Sequence, residues 1–168
     1  MNVAGFEDAY EHSIAVLLRN DPRLEIQVAF LASQVVLKLI AWKDRGSGDN
    51  RDARDIAQII KHYGFPVNQN RLFEEEAEVM ELEEHDIDLA GARLLGRDIA
   101  KSSGADLRAT VLTILEEETA EQDHNRLAEA MTFTFDGTEF QQNLLFLKSN
   151  CSGRFKGQAD VTSRKGFP

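Results

Sequence analysis

A lysine inside an otherwise apolar stretch constrains this chain more than any other feature of its sequence. Lys38 lies in the run VVLKLIAW, which ends at Trp42. If this run is helical, apolar side chains cover almost its whole circumference, so little of the helix can face water. The helix must then pack against other elements on several sides, and the Lys38 ammonium needs either a route to solvent or a charged partner. The sequence therefore predicts a largely buried helix that carries one charge.

A second helix is predicted just after a glycine-rich connector. The Gly-Ser-Gly segment at 46–48 separates the Lys38 helix, predicted over residues 33–44, from an amphipathic segment predicted to be helical over residues 51–62. Either Asp49 or Asn50 is suited to be the N-cap of this segment. We expect the two helices to pack on each other as a pair.

Charged residues of both signs open the second helix: Arg51, Asp52, Arg54 and Asp55. Acids in a first turn are favoured by the helix dipole by about 0.3 to 1 kcal/mol, so capping and salt bridging account for them without any function. Lys38 has two interpretations at this point. It is either a lysine whose stem packs while its ammonium reaches water, or a contact to phosphate, which a compact ammonium suits as a point charge.

These residues carry a family resemblance. The segment KLIAWKDRG followed by RDARDIAQIIKHY resembles the K…R…RDxxD segment of bacterial nucleotidyltransferases of the abortive-infection toxin type, distant relatives of DNA polymerase beta. The resemblance continues through EHDIDLAGARLLGRDIA and covers about residues 6 to 148. It implies transfer of a nucleoside monophosphate from a nucleoside triphosphate to an RNA or protein acceptor, Mg²⁺ as cofactor, and a toxin role beside an antitoxin.

The resemblance also implies roles for individual residues. Lys38 would contact the nucleotide phosphates, while Asp52 and Asp55 would orient or activate the acceptor as the other catalytic residues. Arg45 and Arg51 would hold phosphate charge.

Metal ligands are harder to place. The family's Gly-Ser turn and metal-binding Asp-x-Asp strand are expected upstream of the hairpin and are not seen there, so we expect the chain to match the C-terminal portion of such an enzyme. Asp86-Ile87-Asp88 is no substitute, because helical periodicity follows it and residues two apart on a helix diverge by about 200°. Glu25 is a weak candidate for a metal ligand, and no metal site is predicted with it.

The fold class predicted is α+β, a short antiparallel β-hairpin followed by a mainly helical body, resembling the C-terminal half of a nucleotidyltransferase fold. The strands are predicted over residues 13–18 and 24–30, around the turn signal Asn-Asp-Pro at 20–22. The second strand alternates, and its apolar face should pack on the Lys38 helix. That face contains Leu24, Ile26, Val28 and Phe30.

Later segments read as helices. Helical periodicity is present over residues 86–103, 105–118, 123–131 and 138–148, with one short helix inside the acid-rich passage 67–85. As domains we expect residues 1–66 to form a remnant of the nucleotidyltransferase core, 67–148 a helical domain and 149–168 a flexible tail.

Charge and hydropathy exclude several classes of protein. The net charge of −10 argues against general DNA binding, although residues 38–61, with six bases and four acids, form a locally basic island. No apolar run approaches the ~18 residues of a membrane helix, and the acidic N-terminal segment does not resemble a signal peptide. We therefore expect a cytoplasmic protein. The single cysteine excludes an intramolecular disulfide.

A second hypothesis belongs to another class, that of a non-catalytic helical module for protein interaction or oligomerisation. Without the two-metal strand, little stabilises an in-line phosphoryl displacement. An open strand edge and an uncovered apolar face would also favour a homo-oligomer.

Overall fold

The computed structural model describes residues 5–45, 49–120, 125–132 and 137–152. In chain order its elements are α1 (Phe6–Glu11), β1 (Ser13–Arg19), β2 (Leu24–Ala29), α2 (Leu31–Arg45), α3 (Arg51–His62), α4 (Ala77–Leu82), α5 (Ile87–Ser102), α6 (Ala105–Thr119), α7 (Arg126–Ala130) and α8 (Gly137–Ser152). Two wide turns of the π-helix type, Tyr63–Val67 and Arg71–Glu75, connect α3 to α4. The predicted class, a β-hairpin followed by a mainly helical body, is confirmed.

Most predicted elements lie within a few residues of the observed ones, and α3 has the predicted bounds. The short helix α1 was not predicted, because six residues with one buried side chain, Ala9, show no readable period. At the other end α8 continues to Ser152, and the buried Ser149 donates a hydrogen bond to Glu83. The connector 46–48, the start of the helix predicted at 123 and residues 153–168 lie outside the described residues.

One hydrophobic core joins the α2–α3 pair to the later helices. Its largest fully buried side chains include Leu39, Ile56, Ile60, Leu94, Leu95, Ile99, Leu115, Leu127 and Leu147. Helix α5 occupies the centre, packing on α2, α3, α4 and α8. Burial of this apolar surface is what holds the helix pair in a fixed position. Among the described helices, none combines the length and the hydropathy that a membrane span requires.

The wide turn that follows α3 packs against α5 with the two backbones in direct contact. A Cβ placed on Gly91 would lie 2.4 Å from the Gly64 backbone nitrogen and 2.6 Å from its Cα. Side chains cannot occupy such distances, so both positions require glycine for the observed approach. This contact fixes how the helix pair is oriented on the rest of the molecule.

Gly91→Ala should therefore destabilise the protein. The added methyl group must push the wide turn away from α5, and overpacking of this kind typically costs about 1 to 3 kcal/mol, here toward the upper end. The free energy of unfolding from urea titration measures it. Gly104→Ala is the matched control, since its Cβ would meet only Asp8 Oδ1 at 3.5 Å. Equal losses for both variants would contradict the close contact.

The hairpin departs from the prediction, because α2 does not cover its apolar face. Leu24 and Ile26 are both 44% exposed and Phe30 is 48% exposed. The expected packing on the Lys38 helix is therefore wrong. The physical reason is that α2 packs its apolar surface against α1, α3, α5 and α6. A cover for the hairpin would have required surface that the other helices already bury.

An apolar stripe is consequently left on one face of the hairpin. Ile14 of β1 lies opposite Val28, and Val16 lies opposite Ile26, so these side chains share a face with Leu24. We call these five residues the hairpin stripe. All of them are exposed or partly exposed. An exposed stripe beside open strand edges favours association.

We expect the protein to self-associate through this stripe, so sedimentation velocity at tens of micromolar should show a dimer or a larger oligomer. Ile26→Lys should shift the population toward monomer, because it places a charge in the stripe. Gln27→Lys adds the same charge on the opposite face of β2 and should leave the association unchanged. A wild-type protein that sediments only as a monomer would rule this out.

Candidate functional site

Helices α2 and α3 bring together four charged side chains that lie apart in the sequence. Lys38 Nζ is 2.5 Å from Asp55 Oδ2 and 3.8 Å from Asp52 Oδ1. Arg45 Nη2 lies 3.4 Å from Asp52 Oδ2. We call these four residues the Lys38 cluster. The convergence required of a site containing Lys38, Asp52 and Asp55 is present.

The periodicity of the two helices explains why these side chains meet. Lys38 and Arg45 are seven residues apart, two turns along the same face of α2. Asp52 and Asp55 are three apart on one face of α3. Lys38 pairs with the later aspartate and Arg45 with the earlier one, so the helices run antiparallel with these two faces opposed. The charged faces therefore meet along the seam of the pair.

Burial separates the two carboxylates. Asp52 is buried, with 12% of its side chain exposed, and lies between Lys38 and Arg45. The Asp55 side chain is 57% exposed at the outer edge of the cluster. With two bases and two acids, the cluster has no formal net charge. Asp52 therefore acts as an internal anchor for the two cations, while Asp55 is in reach of solvent and of any ligand there.

Neither of these aspartates caps α3, because its N-cap is Asn50, whose side chain makes no capping hydrogen bond. The Asp49 carboxylate accepts the Arg51 backbone N–H at 3.1 Å and the Arg51 guanidinium at 2.7 Å. The hydrogen bond from the Arg51 side chain is the main reason that the pKa of Asp49 falls from 3.8 to about 2. Arg51, predicted to hold phosphate, is thus bound to Asp49 and does not join the Lys38 cluster.

Candidate metal ligands are not clustered among the residues that the structure describes. Across the described ranges, no three His, Cys, Asp or Glu side chains are grouped so as to hold a metal ion. Asp86 caps α5, accepting the backbone N–H groups of Asp88 at 2.9 Å and Leu89 at 3.0 Å. Burial, and then the Asp86 charge, raise the pKa of Asp88. Glu25 is paired with Arg23 on the hairpin.

Sequence reasoning missed a second polar group, at the opposite end of the helix pair. Asp98 accepts hydrogen bonds from the Tyr63 hydroxyl at 2.6 Å and from the Arg71 guanidinium at 2.7 and 3.0 Å. Burial, followed by the bond to Asp98, raises the pKa of Tyr63. Arg71 and Tyr63 precede Asp98 by 27 and 35 positions, so no local spacing signals this group.

Removing the Lys38 charge should destabilise the protein, because the buried Asp52 carboxylate loses one of its two cationic partners. In Lys38→Met the buried carboxylate keeps only the Arg45 contact, which should cost about 1 to 2 kcal/mol of unfolding free energy. Lys43→Met is the matched control, because Lys43 pairs with Glu117 at a surface where both side chains are about half exposed, and should cost less than about 0.5 kcal/mol. Urea unfolding measures both variants. Equal free energies of unfolding for the two variants would show that Lys38 does not stabilise the buried Asp52 carboxylate.

Comparison with known proteins finds a family whose match includes the Lys38 cluster. The model of a family described as "Nucleotidyl transferase AbiEii toxin, Type IV TA system" matches residues 3–144. That range contains the hairpin, all four residues of the Lys38 cluster and the helices up to the first half of α8. No curated protein and no solved structure matches the chain.

Proposed function

The chain belongs to the AbiEii family of nucleotidyl transferase toxins of type IV toxin–antitoxin systems, and on that premise we propose that it transfers, or helps to transfer, a nucleoside monophosphate from a nucleoside triphosphate to an RNA or protein acceptor. The observation that supports this is the convergence of Lys38, Asp52 and Asp55 at one partly exposed place.

In this proposal Lys38 binds the nucleotide phosphates. Its present partner Asp55 is more than half exposed and can turn to solvent at small cost, because surface ion pairs are worth only about 0 to 1 kcal/mol. A phosphate group of the nucleotide then takes the place of the Asp55 carboxylate at the Lys38 ammonium. Buried Asp52 keeps Lys38 and Arg45 in place throughout, since neither cation has to leave it.

In the same proposal Asp55, released from Lys38, acts on the acceptor. Once turned away from Lys38, Asp55 is a free hydrogen-bond acceptor a few ångströms from the bound phosphate, where it can orient an acceptor hydroxyl. Arg45, whose side chain is 53% exposed, adds positive charge beside the phosphates. Arg51 would contribute only by exchanging Asp49 for the nucleotide.

Magnesium and a partner complete the proposal. Nucleotidyl transfer commonly uses metal ions to neutralise the phosphates and to activate the attacking oxygen. Among the described residues, no three candidate ligands for such an ion are grouped together. Membership of a toxin–antitoxin family implies an antitoxin partner, and we propose the cytoplasm as the compartment in which the two act.

A second candidate function has an observation of its own. The hairpin stripe is uncovered, which favours a non-catalytic module for protein interaction or oligomerisation. Both functions agree with the same fold, so activity has to decide between them.

The deciding experiment is transfer of a radioactive label. The protein is incubated with each of the four nucleoside triphosphates labelled at the α-phosphate, with Mg²⁺ and with total RNA or cell lysate. We expect label in an RNA or protein band, and a loss of at least about tenfold with Lys38→Met, which is about 1.4 kcal/mol of transition-state stabilisation.

Lys43→Met again serves as the control, because it removes an equal charge from the same helix outside the cluster, and it should label as wild type does. Absence of label with all four nucleotides would favour the interaction module. Label that survives in Lys38→Met would keep the activity and remove Lys38 from it.

A further inference from the structure

A cavity of about 400 Å³ lies where the hairpin, the start of α2, the wide turn after α3 and the end of α5 meet. Its walls include Phe30, Leu31, Val67, Tyr63, Arg71 and Lys101. This volume is within the range of about 300 to 1,000 Å³ that is usual for small-molecule sites.

The cavity is separate from the Lys38 cluster. Leu31 precedes Lys38 by seven residues on α2, which corresponds to about 10 Å along the helix axis. Tyr63 follows Asp55 by eight residues, about 12 Å along α3. Because the two helices are antiparallel, both displacements point toward the same end of the pair. A ligand in the cavity therefore does not touch the cluster directly.

One side of the cavity is apolar. Phe30 and Val67, which are 48% and 54% exposed, present large apolar surfaces there, and Leu31 and the Tyr63 ring add to them. Exposed aromatic surface in a concave place attracts a flat apolar group, because the contact removes apolar area from water on both sides.

Among the described residues that line the cavity, the carboxylate of Asp98 is fully engaged, whereas the ammonium of Lys101 is largely exposed. Both oxygens of Asp98 already accept hydrogen bonds from Tyr63 or Arg71. Lys101, in contrast, has a side chain that is 66% exposed, and its ammonium forms an ion pair with Glu76 at 3.6 Å, a surface pair of the kind that is weak and can be exchanged for another anion. Glu76 itself is already bonded by Arg71 and by Arg97. Lys101 is therefore available to an anion that enters the cavity.

We propose that this cavity binds a small organic anion with a planar apolar body, its ring against Phe30 and its anionic group at Lys101. Arg71 cannot take this place, because Asp98 and Glu76 hold its guanidinium. A nucleoside monophosphate and an aromatic carboxylate both have this chemistry. The binding is independent of the proposed transfer reaction, since it uses no residue of the Lys38 cluster.

Isothermal titration of the wild-type chain with AMP, GMP and indole-3-acetate tests the proposal. At least one probe should bind saturably, and its identity distinguishes a nucleotide from an aromatic carboxylate. Lys101→Glu should weaken that binding by about tenfold or more, and Phe30→Ala by about fivefold. Lys61→Glu makes the same charge change at an exposed position that does not line the cavity, and should have much less effect.

Two results would overturn the proposal. One is that none of the three probes binds at millimolar concentration to a protein that is folded by circular dichroism. The other is that binding persists in Lys101→Glu and is lost in Lys38→Met, which would place the probe at the Lys38 cluster. Binding that survives Lys38→Met keeps the cavity site whether or not the label-transfer reaction is found.

Discussion

The contact between Lys38 and the aspartates of α3 is the interaction on which the rest of the molecule depends. Helix α2 is apolar on nearly every side and must be buried, yet a lone ammonium in such a place would cost several kcal/mol. The buried Asp52, with the more exposed Asp55 beside it, offsets this cost in the observed register of α3 on α2. Helix α5 then packs on the pair, held by the contact between Gly64 and Gly91.

Local pattern was enough to predict both strands and most of the helices, although not the short helix α1. The period of each helix predicts that α2 and α3 pack as a pair, but it leaves open whether Lys38 faces solvent or meets Asp52 and Asp55 across the pair. The pairing of Arg51 with Asp49 could also have been predicted from local pattern, because Asp49 is only two residues away and precedes the start of a helix. The family resemblance, which the family model confirms, rests on this same segment.

Long-range packing could not be predicted in this way. Alternation in β2 shows which face is apolar, but it carries no information on which element covers that face. The apolar surface of α2 was assigned to the hairpin, whereas in the structure it is buried by other helices. Likewise Tyr63, Arg71 and Asp98 meet only because α5 crosses the wide turns, so neither their hydrogen bonds nor the adjoining cavity has a sequence signal.

The most direct test is whether Lys38 exchanges its carboxylate partner for phosphate. Lysine Cε–Hε resonances, recorded by NMR and assigned with Lys38→Arg and Lys43→Arg, can be followed while each nucleoside triphosphate is added. We expect the Lys38 resonance to shift saturably, while that of Lys43, which is held by Glu117, stays in place. A Lys38 resonance that does not move, or one that moves in parallel with Lys43, would contradict nucleotide binding at the cluster.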